Sequence, residues 1–95
     1  MREGDLVLNT VTVVGRITKI TKGLRVIYLD IAVPRPYKNE NGEYESDTLY
    51  VKIKYNIPLK LEKGDLVGVK GRLENINDDI VIVAEKTTFL SRKEK

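Results

Sequence analysis

Between residues 25 and 55 apolar and polar side chains alternate almost without a break. Ile27, Leu29, Ile31 and Val33 share one parity, and Tyr28, Asp30 and Ala32 the other. Further on, Leu49, Val51, Ile53 and Tyr55 alternate with Thr48, Tyr50, Lys52 and Lys54. Strands send successive side chains to opposite faces, so the pattern predicts a hairpin with one apolar face and one face of tyrosine and lysine. Pro34 and Pro36 cannot donate to a strand ladder and are expected to end the first arm. Residues 34–45, with the turn signal Asn41-Gly42, read as an extended, flexible arm rather than a tight turn.

The flanking segments repeat the strand period. Residues 9–20 carry Val11, Val13 and Ile17 on one parity. Gly15 interrupts them where a bulge or bend would let one long strand join both halves of a sheet. Residues 21–23 form a short turn. In 65–73, Val67, Val69 and Leu73 oppose Gly68, Lys70 and Arg72. Residues 75–79 make a short polar turn, and 79–90 form the last strand. That strand is apolar on both faces from Ile80 to Ala84, as expected of a central strand or a subunit contact. Residues 56–64 occupy the place where many small barrels carry a helix, but Pro58 leaves room for about one turn of it. Five strands with little or no helix give an all-β chain, best fitted by the five-stranded OB-fold Greek-key barrel with an extended arm between its second and third strands.

Composition narrows the chemistry. Ninety-five residues make one domain, taken as 1–91 with a short, loose polar tail at 92–95. There is no membrane-length apolar run and no signal-peptide pattern, so a soluble, cytoplasmic protein is expected. The chain has no cysteine and no histidine, which removes disulfides, cysteine zinc sites and the commonest general base. No nucleophile–base set can be assembled, so no enzyme and no cofactor are expected. Glu40, Glu43, Glu45 and Asp47 crowd one arm, but a metal needs converging ligands at fixed distances, and the expectation is a solvated arm with no metal. Gly64, Gly68 and Gly71 lack the lysine and helix of a phosphate loop. The net charge of +3 says little alone; with the acids gathered on the arm, the remainder is more basic than the total.

Rings interleaved with cations on an exposed sheet suit a single-stranded nucleic acid, whose bases stack and whose phosphates need charge. Tyr37 and Tyr50 are the stacking candidates; the competing readings are a ring packed on Pro34 or Pro36, and a half-exposed strand aromatic. Tyr28 is divided between DNA contact and a subunit interface. Lys52 and Lys54 are phosphate candidates, or edge charges that block unwanted pairing. Arg16, Arg35 and Lys38 are phosphate candidates against a reading as solvated surface. Lys70 and Arg72 are expected on a different face, and Tyr44 and Tyr55 as packing residues.

In order and spacing, NTVTVVGRITKI, LDIAVPRPYKNENGEYESDTLYVKI, LEKGDLVGVKGRL and VAEKTTFL resemble the core of bacterial single-stranded DNA-binding proteins, over residues 7–90. The resemblance implies a homodimer or homotetramer of barrels that wraps single-stranded DNA in replication, recombination or repair. It places Tyr37 on a base-stacking position of the loop. The next stacking position falls on Thr48, which cannot stack, and Tyr50 on the same face is expected to replace it. A further one falls on Lys54. A long hairpin that bears another ring in the family is replaced by residues 74–79. Family members usually continue into a linker with an acidic tip that recruits partner enzymes, whereas this sequence stops at Arg92-Lys93-Glu94-Lys95. That ending suits either a piece of a longer chain or a short form, like the tailless primosomal relatives or those of phages and plasmids.

Three functions therefore stand beside each other. The leading one is sequence-nonspecific binding of single-stranded DNA, with replication or recombination proteins as further partners. A primosome-like assembly module with weak nucleic-acid binding fits the short turn and the missing tail. An RNA binder on the same barrel would need contacts to the 2′-hydroxyl. A purely structural oligomer subunit would explain the doubly apolar last strand but not the tyrosine–lysine face.

Overall fold

The computed structural model describes residues 8–54 and 60–92. Five strands follow in order: β1 (Val11–Gly23), β2 (Val26–Lys38), β3 (Tyr44–Lys54), β4 (Leu66–Ile76) and β5 (Asp79–Ser91). They close into a barrel in the order β1-β2-β3-β5-β4, the OB-fold arrangement expected. The described residues contain no helix. Tyr55 and the interrupted helical turn expected around Pro58 lie largely outside the described residues.

The alternating positions point where the period demands. Ile17, Leu29, Ile31, Val51, Ile53, Val67, Val69 and Ile82 form the buried core. Each such side chain contributes about 1.5–3 kcal/mol of burial, set against the chain entropy lost on folding. Val81 and Val83 are buried as well, which uses up the second apolar side of β5 within the protomer, whereas Ile80 stays exposed.

β1 is shared between the two halves. It pairs with β4 from Val11 to Arg16, and with β2 from Arg16 to Gly23. At the changeover a Cβ on Gly15 would lie 2.5 Å from the Ala32 carbonyl oxygen and 2.6 Å from Ile31 Cγ2. Only a glycine admits β2 that closely. Ahead of β1, the Asn9 side chain extends the ladder: its amide donates to the Leu73 carbonyl and its oxygen accepts from Leu73 N–H, both at 2.9 Å.

The start of β4 is fixed by Asp65, which is only 1% exposed. Its carboxylate accepts the Glu62 N–H at 2.9 Å and the Arg92 Nε–H at 3.3 Å. Its backbone carbonyl takes the Ile17 N–H at 2.9 Å. Arg92 also lies over the Phe89 ring, 5.4 Å from the centroid. Arg92, expected in a loose tail, is thus docked, because a buried carboxylate needs a counter-charge.

Three turns differ from expectation: β1 runs on through residues 21–23, expected as a turn, so its connection to β2 is only Leu24-Arg25, with Arg25 at a positive φ of 58°. β4 and β5 run deeper than expected, so their connection is only Asn77-Asp78, both with positive φ (50° and 70°). That is the two-residue geometry matching the twist of antiparallel strands, and Asn and Asp tolerate it best after glycine. In the arm, Pro34 and Pro36 do not end β2. Pairing continues past Pro34↔Ser46 to Lys38↔Tyr44, and the intervening irregularity absorbs the missing donors. Beyond it the Asn39 carboxamide oxygen accepts from Asn41 N–H at 2.9 Å and from Glu43 N–H at 3.0 Å. The expected loose loop is a hydrogen-bonded hairpin tip.

Candidate nucleic-acid interface

The outer face of β1, β2 and β3 gathers the candidate chemistry in cross-strand rows. Register sets Arg16, Ala32 and Thr48 side by side, then Lys19, Asp30 and Tyr50, then Thr21, Tyr28 and Lys52, then Gly23, Val26 and Lys54. Tyr28 and Tyr50 are diagonal neighbours, within reach of each other's rings. Their centroids are 5.2 Å apart and their planes 5° from parallel. This offset stack holds both rings in place, and Tyr50 keeps 42% of its surface exposed. The pair is an aromatic step with lysines on the adjoining positions and one acid, Asp30, among them.

Arg16 sits at the end of this face, where its guanidinium donates to the Gly64 carbonyl at 3.2 Å. That uses one of its five donors. Beside it opens a cleft of about 490 Å³ lined by Arg16, Ile17, Thr18, Lys63 and Gly64. The arm carries the remaining candidates. Tyr37 is 63% exposed, and Lys38 projects over the Tyr44 ring with Nζ 5.7 Å from its centroid.

Arg35 is engaged within the arm itself. Its guanidinium is shared between Asp47, with contacts of 2.8 to 3.3 Å, and Glu45 at 2.9 Å. The hydrogen bonds and charge of Asp47 raise the Arg35 proton affinity above its ordinary value. The same hydrogen bonds hold the Asp47 carboxyl below the usual carboxylate range. Arg35 is a clamp across the arm, its charge met by carboxylates of the facing strand. Its partners are two of the four crowded acids, so that cluster is partly an ion-pair site. No group of three or more potential metal ligands occurs among the described residues.

Lys19 belongs to this face and was not foreseen. Counted by parity from Ile17, it should point into the core. A bulge after Ile17 inserts Thr18, whose hydroxyl donates to the Asp30 carbonyl at 3.1 Å. The extra residue turns Lys19 outward and Ile20 toward the core. Nothing in the residues around it marks where a bulge falls. Tyr44, expected to pack, is 62% exposed. Of the cations expected elsewhere, Arg72 is paired with Glu74 and Lys70 lies on β4, across β1 from the tyrosine face.

The chain is 41% identical to single-stranded DNA-binding protein B of Bacillus subtilis over 76 residues, spanning 70% of this chain and 67% of that one. Single-stranded DNA-binding protein 1 of Clostridium acetobutylicum is 32% identical, covering 93% of this chain and 98% of the relative. The chain belongs to the single-stranded DNA-binding protein family. It spans about two thirds of the Bacillus relative's length and nearly all of the Clostridium one's. Among solved structures, the dimeric N-terminal domain of PriB from Thermoanaerobacter tencongensis superposes with a TM-score of 0.68, at 22% identity, over 88% of this chain and 98% of that one. At that identity the likeness speaks for the barrel fold alone. No family model matches the chain. Against the family pattern, the exposed Thr48 leaves a gap on the face that the Tyr28–Tyr50 stack adjoins.

Proposed function

We propose that this member of the single-stranded DNA-binding protein family binds single-stranded DNA without sequence preference, as a homodimer or homotetramer in the cytoplasm. It would serve replication, recombination or repair as a binding protein rather than an enzyme. The observation that carries this is the Tyr28–Tyr50 stack, exposed on a face that also bears Lys19, Lys52 and Lys54. Bases stack on such rings in a sequence-tolerant way at about 1–3 kcal/mol each, and the lysines with Arg16 would track the phosphates. Tyr37 and Lys38 extend the surface along the arm. Arg35 contributes indirectly, by holding the arm in shape. No helix among the described residues is long and apolar enough to cross a membrane. Replication or recombination proteins are the proposed further partners.

Anisotropy of labelled oligo-dT across a salt series, with duplex DNA and oligo-U as competitors, tests the proposal. Tight, length-dependent binding to oligo-dT that falls steeply with salt and is weak on duplex is expected. Preference for oligo-U would move the reading to an RNA binder. Absence of binding at low salt would overturn it and leave the tyrosine–lysine face to a protein partner.

A further inference from the structure

The ring that sequence assigned to packing stands instead on the binding face. Tyr44 is 62% exposed. Tyr44, Ser46, Thr48 and Tyr50 share one parity of β3, which pairs with β2 without an extra residue of its own over this stretch. Tyr44 therefore faces the same side as the Tyr28–Tyr50 stack, six residues or about 20 Å further along the strand. Lys38 lies directly opposite it on β2, and its ammonium is 5.7 Å from the ring centroid.

Tyr44 is not mobile decoration. The arm beneath it is held from the opposite parity by the Arg35–Asp47 and Arg35–Glu45 bridges. The tip beyond it is closed by Asn39, which also donates to Glu45 at 3.1 Å. An exposed ring on a braced hairpin, with a cation above one side, offers a base a fixed surface and its phosphate a charge.

We propose that Tyr44, with Lys38, is a second base-stacking station at the tip of the arm, engaged by strands long enough to reach it from the Tyr28–Tyr50 stack. This rests on the single-stranded DNA reading above. The 20 Å between the stations is about six nucleotides at the 3.4 Å rise of a stacked strand, and fewer for an extended one. Short oligonucleotides would use one station and longer ones both.

The test is Tyr44→Ala and Tyr44→Phe against the parent, on oligo-dT of graded length. Oligomeric state and melting temperature are recorded for each variant. Tyr44→Ala is expected to weaken binding of long oligo-dT roughly 5- to 150-fold. Short oligo-dT should be affected much less, and Tyr44→Phe should restore the parent's affinity because stacking needs the ring and not the hydroxyl. Equal affinity of Tyr44→Ala and parent at every length, with the parent binding tightly, would overturn the second station and leave the wider reading intact. A loss that tracks a change in oligomeric state would overturn it in favour of a subunit contact. A parent that binds no oligo-dT would overturn both.

Discussion

Replacing Gly71 by alanine should unseat the closure of the barrel. A Cβ at that position would stand well inside contact distance of the Val83 carbonyl oxygen, 2.9 Å from its carbon and 3.0 Å from Ala84 Cα. All three are main-chain atoms, so no side chain can swing aside. β5 must move away from β4 where Val83 also pairs with Lys52 of β3. Overpacking ordinarily costs about 1–3 kcal/mol, and with backbone as the obstacle about 3 kcal/mol is expected. Domains of this size lose about 4–8 °C of melting temperature per kcal/mol, so Gly71→Ala should melt roughly 10–25 °C below the parent by circular dichroism. Gly68, three residues earlier, is the control. Its added Cβ would meet Leu90 Cδ1 at 3.8 Å and Val14 Cγ2 at 3.9 Å, both ordinary contacts. Gly68→Ala should be neutral or stabilising by about 0.4–1 kcal/mol, through the less flexible unfolded chain. If Gly71→Ala melts within about 3 °C of the parent, or the two variants fall alike, the close approach of β5 is not what requires glycine there.

Three further outcomes are expected. Lys52→Ala and Lys54→Ala should each lower the slope of log K against log salt on oligo-dT by about 0.7, one phosphate contact apiece, and unchanged slopes would remove them from the phosphate path. Arg92→Ala leaves the buried Asp65 carboxylate without its cation. Because Arg92 is itself half-exposed, the loss should be about 1–2 kcal/mol rather than the full cost of stripping a buried pair, read as a shift in the urea midpoint. The Asp47 carboxyl is held below its ordinary value, so its stabilising effect on the arm is complete above the usual aspartate pKa near 3.9 and is lost as pH falls through its depressed value. The side-chain carboxyl carbon shift of Asp47 should stay constant from neutral pH down to about 4 and move only below it. A transition centred near neutrality would show that another group controls the arm.

Much of this is legible in the sequence. Period-two alternation put Leu29, Ile31, Val51 and Ile53 in the core and their neighbours Tyr28, Tyr50, Lys52 and Lys54 on one outer face. Gly15 marked the bend at which one strand serves two partners. What stayed hidden depends on contacts between segments distant in the chain. The bulge at Thr18 that turns Lys19 outward is set by how β1 changes partner, and parity alone points Lys19 the wrong way. Arg35 looks like any loop cation until Asp47 and Glu45 arrive beside it from the other arm. Proline rules end β2 at Pro34, yet the ladder resumes at Lys38 because the irregularity lets the strand skip the rungs that prolines cannot make. Tyr44 has the composition of a packing ring, and only the length of the arm shows that no core lies beneath it.

The barrel is closed by two pairings of strands not adjacent in sequence: the antiparallel β1–β4 ladder, and a much shorter parallel contact, Val51↔Ile82 and Lys52↔Val83, between residues about thirty positions apart. Loop-closure entropy must be overcome before such a contact gives any return, so this seam should form late in folding and open early in hydrogen exchange. Lys52 stands on the seam and on the proposed DNA face at once. A strand of DNA lying across it would act as a fastener, slowing exchange of the β5 amides far from any stacked base.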